Sequence, residues 1–492
     1  GSGKTTLLKR ILRLAGEGGE GGRPLRVAVI VNDMGEVNLD ASEIKNSRLI
    51  KEEATMVELH NGCICCTLRG DLLRTVRAIS EEKAFDCLVI ESTGISEPLP
   101  VAQTFTMDVD DMDMVVDEGA ETGEANDAAV DAAESPPEGT DAARSAAPSD
   151  AMLEEVRSLS HYARLDTMVT VVDALNIFDV LGSLETLAED NITNMLGNNG
   201  EGEDERDERG IAQLMLDQIE FANVILLSKV DLVKREGAVD EIRALLQSLN
   251  PSARIIVPRP HFADLPLSSV INTRLFDMEE AEESVGWAQE LAKHAEGGAG
   301  HTPETEEYGI SSVVFSNAER PLHSGRLEAL LDSYCGSYAD ASAGGGDARA
   351  GVFSGVVRVK GQLWMATANS FPVNIHVAGR HVQLEVDAPW LATFPQCCES
   401  GDCDHDFDAT REEMEAAGAW HPVHGDRGST VVFIGIGLDR AGILAELNAA
   451  LLTDAEMEGG VASWRTFEDN ITGGDYFDAS KDISGRTIVV RE

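Results

Sequence analysis

The chain opens on Gly1-Ser2-Gly3-Lys4-Thr5-Thr6 and runs directly into Leu7-Leu8-Lys9-Arg10-Ile11-Leu12, a glycine-rich loop that passes into apolar residues at helical spacing. No other feature constrains the fold as much. Backbone N–H groups of such a loop, with the N-terminus of the helix behind them, form a cradle for phosphate, and this cradle belongs at the carboxyl edge of a parallel sheet. Gly3, Lys4 and Thr5 match the last three positions of the G-x-x-x-x-G-K-[ST] signature. The first glycine of that signature and the strand expected before it are missing. A parallel sheet without its central strand would leave backbone groups unpaired, so the chain is expected to be truncated at its N-terminus.

Beyond this loop and its helix, strands and helices alternate. Leu25 to Val31 is a β-branched run ending in Asn32-Asp33-Met34-Gly35-Glu36, and Thr55 to Leu59 is a second strand. Arg69 to Glu82 has helical spacing, and Phe85 to Ile90 is a strand ending in Glu91-Ser92-Thr93-Gly94. Later come the strands Leu165 to Asp173, Ala222 to Leu227 and Arg254 to Val257, with helices over 213–219 and 236–249. Strands alternating with helices predict an α/β fold, a parallel sheet flanked by helices. Beyond about 308 the pattern changes to strands at 311–315, 353–360, 362–368, 373–377, 380–386 and 430–437 with helices at 321–334 and 440–452, which predicts a smaller α+β domain.

Two stretches interrupt this order. Residues 108–150 are Asp, Glu, Ala, Gly, Ser and Pro with almost no bulky apolar side chains, and 197–209 is similarly polar; both are expected to be insertions, the first disordered. With 39 Lys and Arg against 87 Asp and Glu, the formal charge of −48 argues against nucleic acid and anionic membrane as partners. No apolar run reaches the roughly 18 residues of a membrane span, so a soluble, cytoplasmic protein is expected, with organellar targeting left open by the missing start. Adjacent cysteines at Cys65-Cys66 and Cys397-Cys398 do not form a secreted disulfide framework and point to a reducing compartment.

Three of the eight cysteines fall within four positions, Cys63, Cys65 and Cys66. Core packing would scatter them, whereas three thiolates make most of a tetrahedral Zn²⁺ site with one exchangeable position. His60 and Glu58 are candidates for the fourth ligand, with a strand-edge polar role as the bland alternative. Gly1, Gly3, Lys4, Thr5 and Thr6 are placed at the phosphates, Lys4 as the catalytic cation and Thr5 as a Mg²⁺ ligand. Glu91, ending its strand, is expected to hold Mg²⁺ or orient water, and Gly94 to approach the γ phosphate. Glu36 and Asp40 occupy the loop where a first switch would lie, Glu36 as a catalytic candidate. Ser228-Lys229-Val230-Asp231, after a strand, resembles the [NTS]-K-x-D guanine reader, in which the Asp carboxylate accepts from the guanine N1–H and exocyclic amine. Cys397, Cys398, Cys403 and His405 have spacing for an accessory metal site, against the alternative of incidental loop cysteines. His376 and His381 read as ordinary strand residues.

Taken together, GKTT, VNDMGEVNLD, GCICCTLRGDLL, ESTGISEP, LDTMVTVVDA, DQIEFANVILLSKVDL and GDRGSTVVFIGIGLD resemble the CobW-like family of P-loop GTPase metallochaperones, kin to HypB and UreG. The resemblance implies a GTPase domain over 1–260 carrying both insertions, a linker over 261–308, a CobW-type C-terminal domain over 309–453 and a tail over 454–492. It implies GTP hydrolysis with Mg²⁺, Zn²⁺ held at Cys63, Cys65 and Cys66, and transfer of that metal to a client apoprotein. The C-terminal domain would serve client docking or homodimerisation. Departures are the absent first half of the phosphate loop, Ser228 where Asn is commoner, and the acidic insertion. The rival readings are a GTPase assembling Co²⁺ or Fe²⁺ sites, as in cobalamin synthesis, a non-enzymatic zinc buffer or sensor, and a thiol redox switch.

Overall fold

A computed structural model of the chain describes residues 2–17, 24–32, 54–59, 69–92, 98–106, 160, 162–182, 210–278, 309–342, 351–379, 381–393, 407–416, 418–473 and 487–489. In chain order the elements of the first half are α1 (Lys4–Gly16), β1 (Val27–Asn32), β2 (Ala54–Leu59), α2 (Arg69–Glu82), β3 (Cys87–Glu91), α3 (Pro98–Thr106), β4 (Val169–Asp173), α4 (Ile177–Leu181), α5 (Ile211–Glu220), β5 (Val224–Ser228), α6 (Ala238–Leu249) and β6 (Arg254–Ile256). The second half adds β7 (Ile310–Asn317), α7 (Ser324–Ser342), β8 (Val356–Leu363), β9 (Val373–Ala378), β10 (His381–Val386), α8 (Phe407–Ala416), β11 (Ser429–Ile436), α9 (Arg440–Ala450), α10 (Asp454–Trp464) and β12 (Thr487–Val489).

Among the described residues the parallel strands form two sheets of three, ordered β2-β1-β3 and β4-β5-β6. What joins them is α1. Leu7, Leu8, Ile11 and Ala15 recur three and four residues apart, so one helix face is apolar, and that face shares a single core with Val27 and Val29 of β1, Cys87 and Val89 of β3, Val169 and Val171 of β4, and Val224 and Leu226 of β5. The helix at the end of the glycine loop therefore straddles both sheets.

The third sheet is antiparallel, with six strands in the order β12-β10-β9-β8-β11-β7. Alternation along β7, β8 and β11 sends Val313, Phe315, Val359, Val431 and Phe433 to one face, where α7 and α9 cover them with Leu327, Leu331, Ile443 and Leu447. Ile310, Val314, Val432 and Ile434 project to the other face and share a core with Leu216 and Ile219 of α5 and Leu245 and Leu249 of α6. The small domain is thus packed on the helices that flank β5, through one continuous apolar core.

A buried ionic cluster pins the same contact. Arg358 of β8 is 1% exposed and donates to Glu220 Oε1 (2.8 Å) and Oε2 (3.0 Å), Gln213 Oε1 (2.9 Å) and Asp217 Oδ1 (3.1 Å), all on α5. Lys360 adds a bond to Glu220 Oε2 at 2.8 Å. Burial pushes the Glu220 carboxyl up, but Arg358 and Lys360 outweigh it and hold it below the carboxylate range. His376, opposite Lys360 in the β8–β9 register, is pushed down to about 4 by burial and by the two cations, and is neutral at pH 7.

The structure departs from the sequence expectations in three places. Residues 262–278, expected as linker, lie against α1: Phe262, Leu265, Leu267 and Val270 are buried there, and Arg10 Nη2 donates to the Ala263 carbonyl at 2.7 Å. Asp166 fastens the end of this strap by accepting from Thr273 and Arg274 N–H, both at 3.0 Å. The stretch after 453, expected as tail, contains α10, opened by a Thr453–Glu456 capping box and closed by buried Trp464, and β12, which pairs with β10. Polar composition hid both, because capping residues and a single Trp anchor leave little periodic signal. Finally, residues 362–368 are no separate strand: β8 runs to Leu363 and the chain then turns through Trp364 to Ser370.

Candidate nucleotide site

Gly3 caps α1 with φ at +105°, a left-handed conformation open to glycine, and the helix begins with Leu7 N–H donating to Gly3 O at 3.0 Å. No side chain caps this end, and its first turn holds no acid. Lys4, Thr5 and Thr6 are half-buried in that turn, so free N–H groups, an ammonium and two hydroxyls share one helix end. Phe262, from the strap, lies 3.6 Å from where a Gly3 Cβ would stand.

The Ser228–Asp231 segment arrives at the same place. Ser228 is buried at the end of β5, and its hydroxyl lies 2.7 Å from the Ser2 carbonyl oxygen and 3.1 Å from that of Val172. One hydroxyl thereby ties the loop before α1 to the end of β5, across 226 residues of chain. Lys229 is left-handed, at φ +57°, and caps a single 3₁₀ turn, Val230–Leu232, whose Asp231 is exposed. The Lys229 ammonium forms an ion pair with Asp173, the last residue of β4. Asp173 stands opposite Ser228 in the register, and Ala174 N–H donates to Ser228 O at 3.0 Å.

Glu91 ends β3, with its Oε2 buried. Its position pairs with Val31 of β1, and Asn32 pairs with Leu59, so β1, β2 and β3 finish on a common edge. Cys87 lies on the same strand, where burial first, then Asp86 and Asp166, push its thiol up to about 11; it stays protonated and inert.

Of the residues expected at the site, Gly3, Lys4, Thr5, Thr6, Glu91, Ser228, Lys229 and Asp231 lie on these carboxyl edges. Gly1, Glu36, Asp40, His60, Cys63, Cys65, Cys66, Gly94, Cys397, Cys398, Cys403 and His405 fall outside the described residues, and Glu58 lies on β2 with its side chain undescribed. Among the described residues no group of three or more His, Cys, Asp or Glu side chains is placed to hold a metal ion, and no helix is long and apolar enough to cross a membrane. His376 is a half-buried strand residue, and His381, which is buried, packs its ring against Gly210 at the start of α5. Sequence reasoning passed over Asp173 and Phe262. An Asp closing a strand was the only signal for the first; nothing marked the second, whose role depends on where the strap lies.

The nucleotide-binding domain described as CobW/HypB/UreG matches residues 1–132 and 138–257, and the C-terminal domain of cobalamin synthesis protein cobW matches 310–451. The chain is 35% identical to zinc-regulated GTPase metalloprotein activator 1 of Dictyostelium discoideum over 480 residues, which cover 96% of this chain and 82% of that one. It is 38% identical over 111 residues to the zinc chaperone YjiA of Escherichia coli, 21% of this chain and 31% of that protein. The structure of zinc-bound YjiA GTPase aligns over 92% of this chain and 95% of its own, at 18% identity and a TM-score of 0.30.

Proposed function

From the premise that this chain belongs to the CobW/HypB/UreG family of nucleotide-binding proteins, we propose that it is a GTP-hydrolysing metallochaperone that carries Zn²⁺ on Cys63, Cys65 and Cys66 and passes it to a client metalloprotein. One observation carries the nucleotide half of this reading: the Ser228 hydroxyl against the Ser2 carbonyl, which puts the phosphate loop and the Ser-Lys-x-Asp turn on one edge. A nucleotide spanning them would have its phosphates at the uncapped start of α1 and its base beside exposed Asp231.

In that pose Lys4 neutralises charge on the transferring phosphoryl group, and Asp231 accepts from the guanine edge. Ser228 supplies the tie that an Asn amide makes in commoner versions of the turn. Thr5 and Glu91 offer hard oxygens on the same edge, a donor set that fits Mg²⁺ and no soft metal. Bound there, Mg²⁺ would supply charge neutralisation at the β and γ phosphates. Glu91 can alternatively orient the attacking water, and Glu36, in the loop after β1, remains the further catalytic candidate.

Covalent reach supports this cargo site. Cys63 lies four residues beyond Leu59, so its Cα is within about 14 Å of the end of β2. That end is two strand spacings, roughly 10 Å, from Glu91 in the β2-β1-β3 order. In this reading a metal on the thiolates shares the β2-β1-β3 half of the domain with Glu91, and the γ phosphate biases its geometry, so that GTP favours retention and hydrolysis favours release. Zn²⁺ titration of the protein held with GDP or with a non-hydrolysable GTP analogue tests the coupling, the GTP form being expected to bind about ten-fold tighter. Equal affinities would overturn it, since linkage must act in both directions.

A further inference from the structure

We propose that Asp173 positions the base-reading turn: its carboxylate holds the Lys229 ammonium across the ends of β4 and β5 and so fixes the turn that presents Asp231. The proposal rests on the reading of Ser228 to Asp231 as a guanine-binding turn.

Asp173 is itself held. Its side chain is 13% exposed, Oδ1 accepts from Leu175 N–H at 3.0 Å, and Oδ2 accepts from Asn176 Nδ2 at 3.0 Å. A carboxylate with both oxygens engaged and little solvent has one orientation. Oδ2 also takes the Lys229 ammonium, a charge-assisted contact stronger than a neutral one. Lys229 needs such an anchor, because a non-glycine residue at φ +57° is in a sparsely populated region and stays there only when its surroundings fix it.

Beyond that root, Val230 and Val233 pack against the apolar core of β5, α5 and α6 and hold the underside of the turn. Leu232 N–H donates to Lys229 O at 3.0 Å and Val233 N–H to Val230 O at 3.3 Å; both bonds are internal to the turn, so they shape it without aiming it. The polar contacts that aim it are at its root, where Ser228 is fixed to Ser2 or Val172 and Lys229 to Asp173. Asp231 comes two residues later, exposed, with its direction set by that root. Loss of the Asp173 charge would free the Lys229 side chain and let the turn relax from the left-handed conformation. The carboxylate of Asp231 would then miss the two donors of guanine. Asp173 touches no nucleotide in this scheme and acts through Lys229.

The discriminating readout is the ratio of GDP to IDP affinity, because inosine lacks the exocyclic amine that Asp231 would accept from and is otherwise the same ligand. Calorimetric titration of both nucleotides into the full chain is expected to give a ratio well above one for the wild type and a ratio lowered roughly three- to ten-fold in Asp173→Asn. Asp173→Glu, which keeps the charge one methylene further out, should fall between them. Asp173→Asn and Asp173→Glu that weaken both nucleotides equally, with the ratio unchanged, would show a merely structural role and overturn the proposal. Asp231→Asn separates the premise: if it leaves the ratio untouched, the guanine reading itself fails, whatever Asp173 does.

Discussion

β3 and β5 are five-residue parallel strands in the same domain, each ending on the candidate site, yet they are built differently. Every residue of β5 is buried, and every residue of β3 is half-exposed. β5 is central to its sheet, with α1 on one face and α5, α6 and the antiparallel domain on the other. β3 pairs only with β1 among the described strands. In the proposed function base reading falls to the covered strand, whereas Glu91 and the end of β2 belong to the uncovered half. The difference is physically sensible. Recognition of a rigid base gains from a preorganised frame, while a site that must change with the γ phosphate belongs where fewer buried contacts resist opening.

The antiparallel domain covers the β5 half, and Arg358 is the sharpest place to break that contact. Arg358→Ala would leave Asp217 without its cation and Glu220 with Lys360 alone, at an expected cost of about 3 to 5 kcal/mol in chemical denaturation. A loss below about 1 kcal/mol would mean that the apolar contact alone holds the two halves. Next in size is a paired truncation. Leu226→Ala in β5 should cost about 3 kcal/mol and Val89→Ala in β3 about 1, because only the first leaves a cavity in a closed core. Equal costs would erase the contrast on which the comparison depends.

A pH dependence is also expected at the interface that Arg358 pins. The His376 value in the fold, about 4, lies below its ordinary 6.5, so between these pH values the unfolded chain binds the proton and the folded one does not. Stability therefore rises from pH 4 to 6.5 and is lost as pH falls through that window, by on the order of 2 to 3 kcal/mol. His376→Gln should flatten this part of the profile. Glu220, held low by Arg358 and Lys360, adds a loss of the same sign at more acid pH, below its ordinary 4.5. A slope unchanged in His376→Gln would place the acid sensitivity elsewhere.

Most of the strand and helix order was legible in the sequence, because β-branched runs and 3.6-residue stripes report burial directly: α2, β1, β5 and α6 lie within a residue or two of the expected limits. The strap over 262–278 and helix α10 were not legible. Their burial comes from a few anchors, Phe262 on α1 and Trp464 against Trp364 and Trp390, with polar residues between. A pattern needs repeats, and single anchors provide none.

The phosphate loop, the Ser-Lys-x-Asp turn and the cysteine triplet are local motifs, so residue type and spacing alone determined them, together with the family to which they point. Which carboxylate meets Lys229, which carbonyl the Ser228 hydroxyl finds, and which cation faces Glu220 were settled only when strands far apart in the chain came into register. Asp173 and Lys229 are 56 residues apart, and Glu220 and Arg358 are 138. Contacts of that separation carry no sequence period; they exist because α1 spans two sheets and the antiparallel domain closes over one of them.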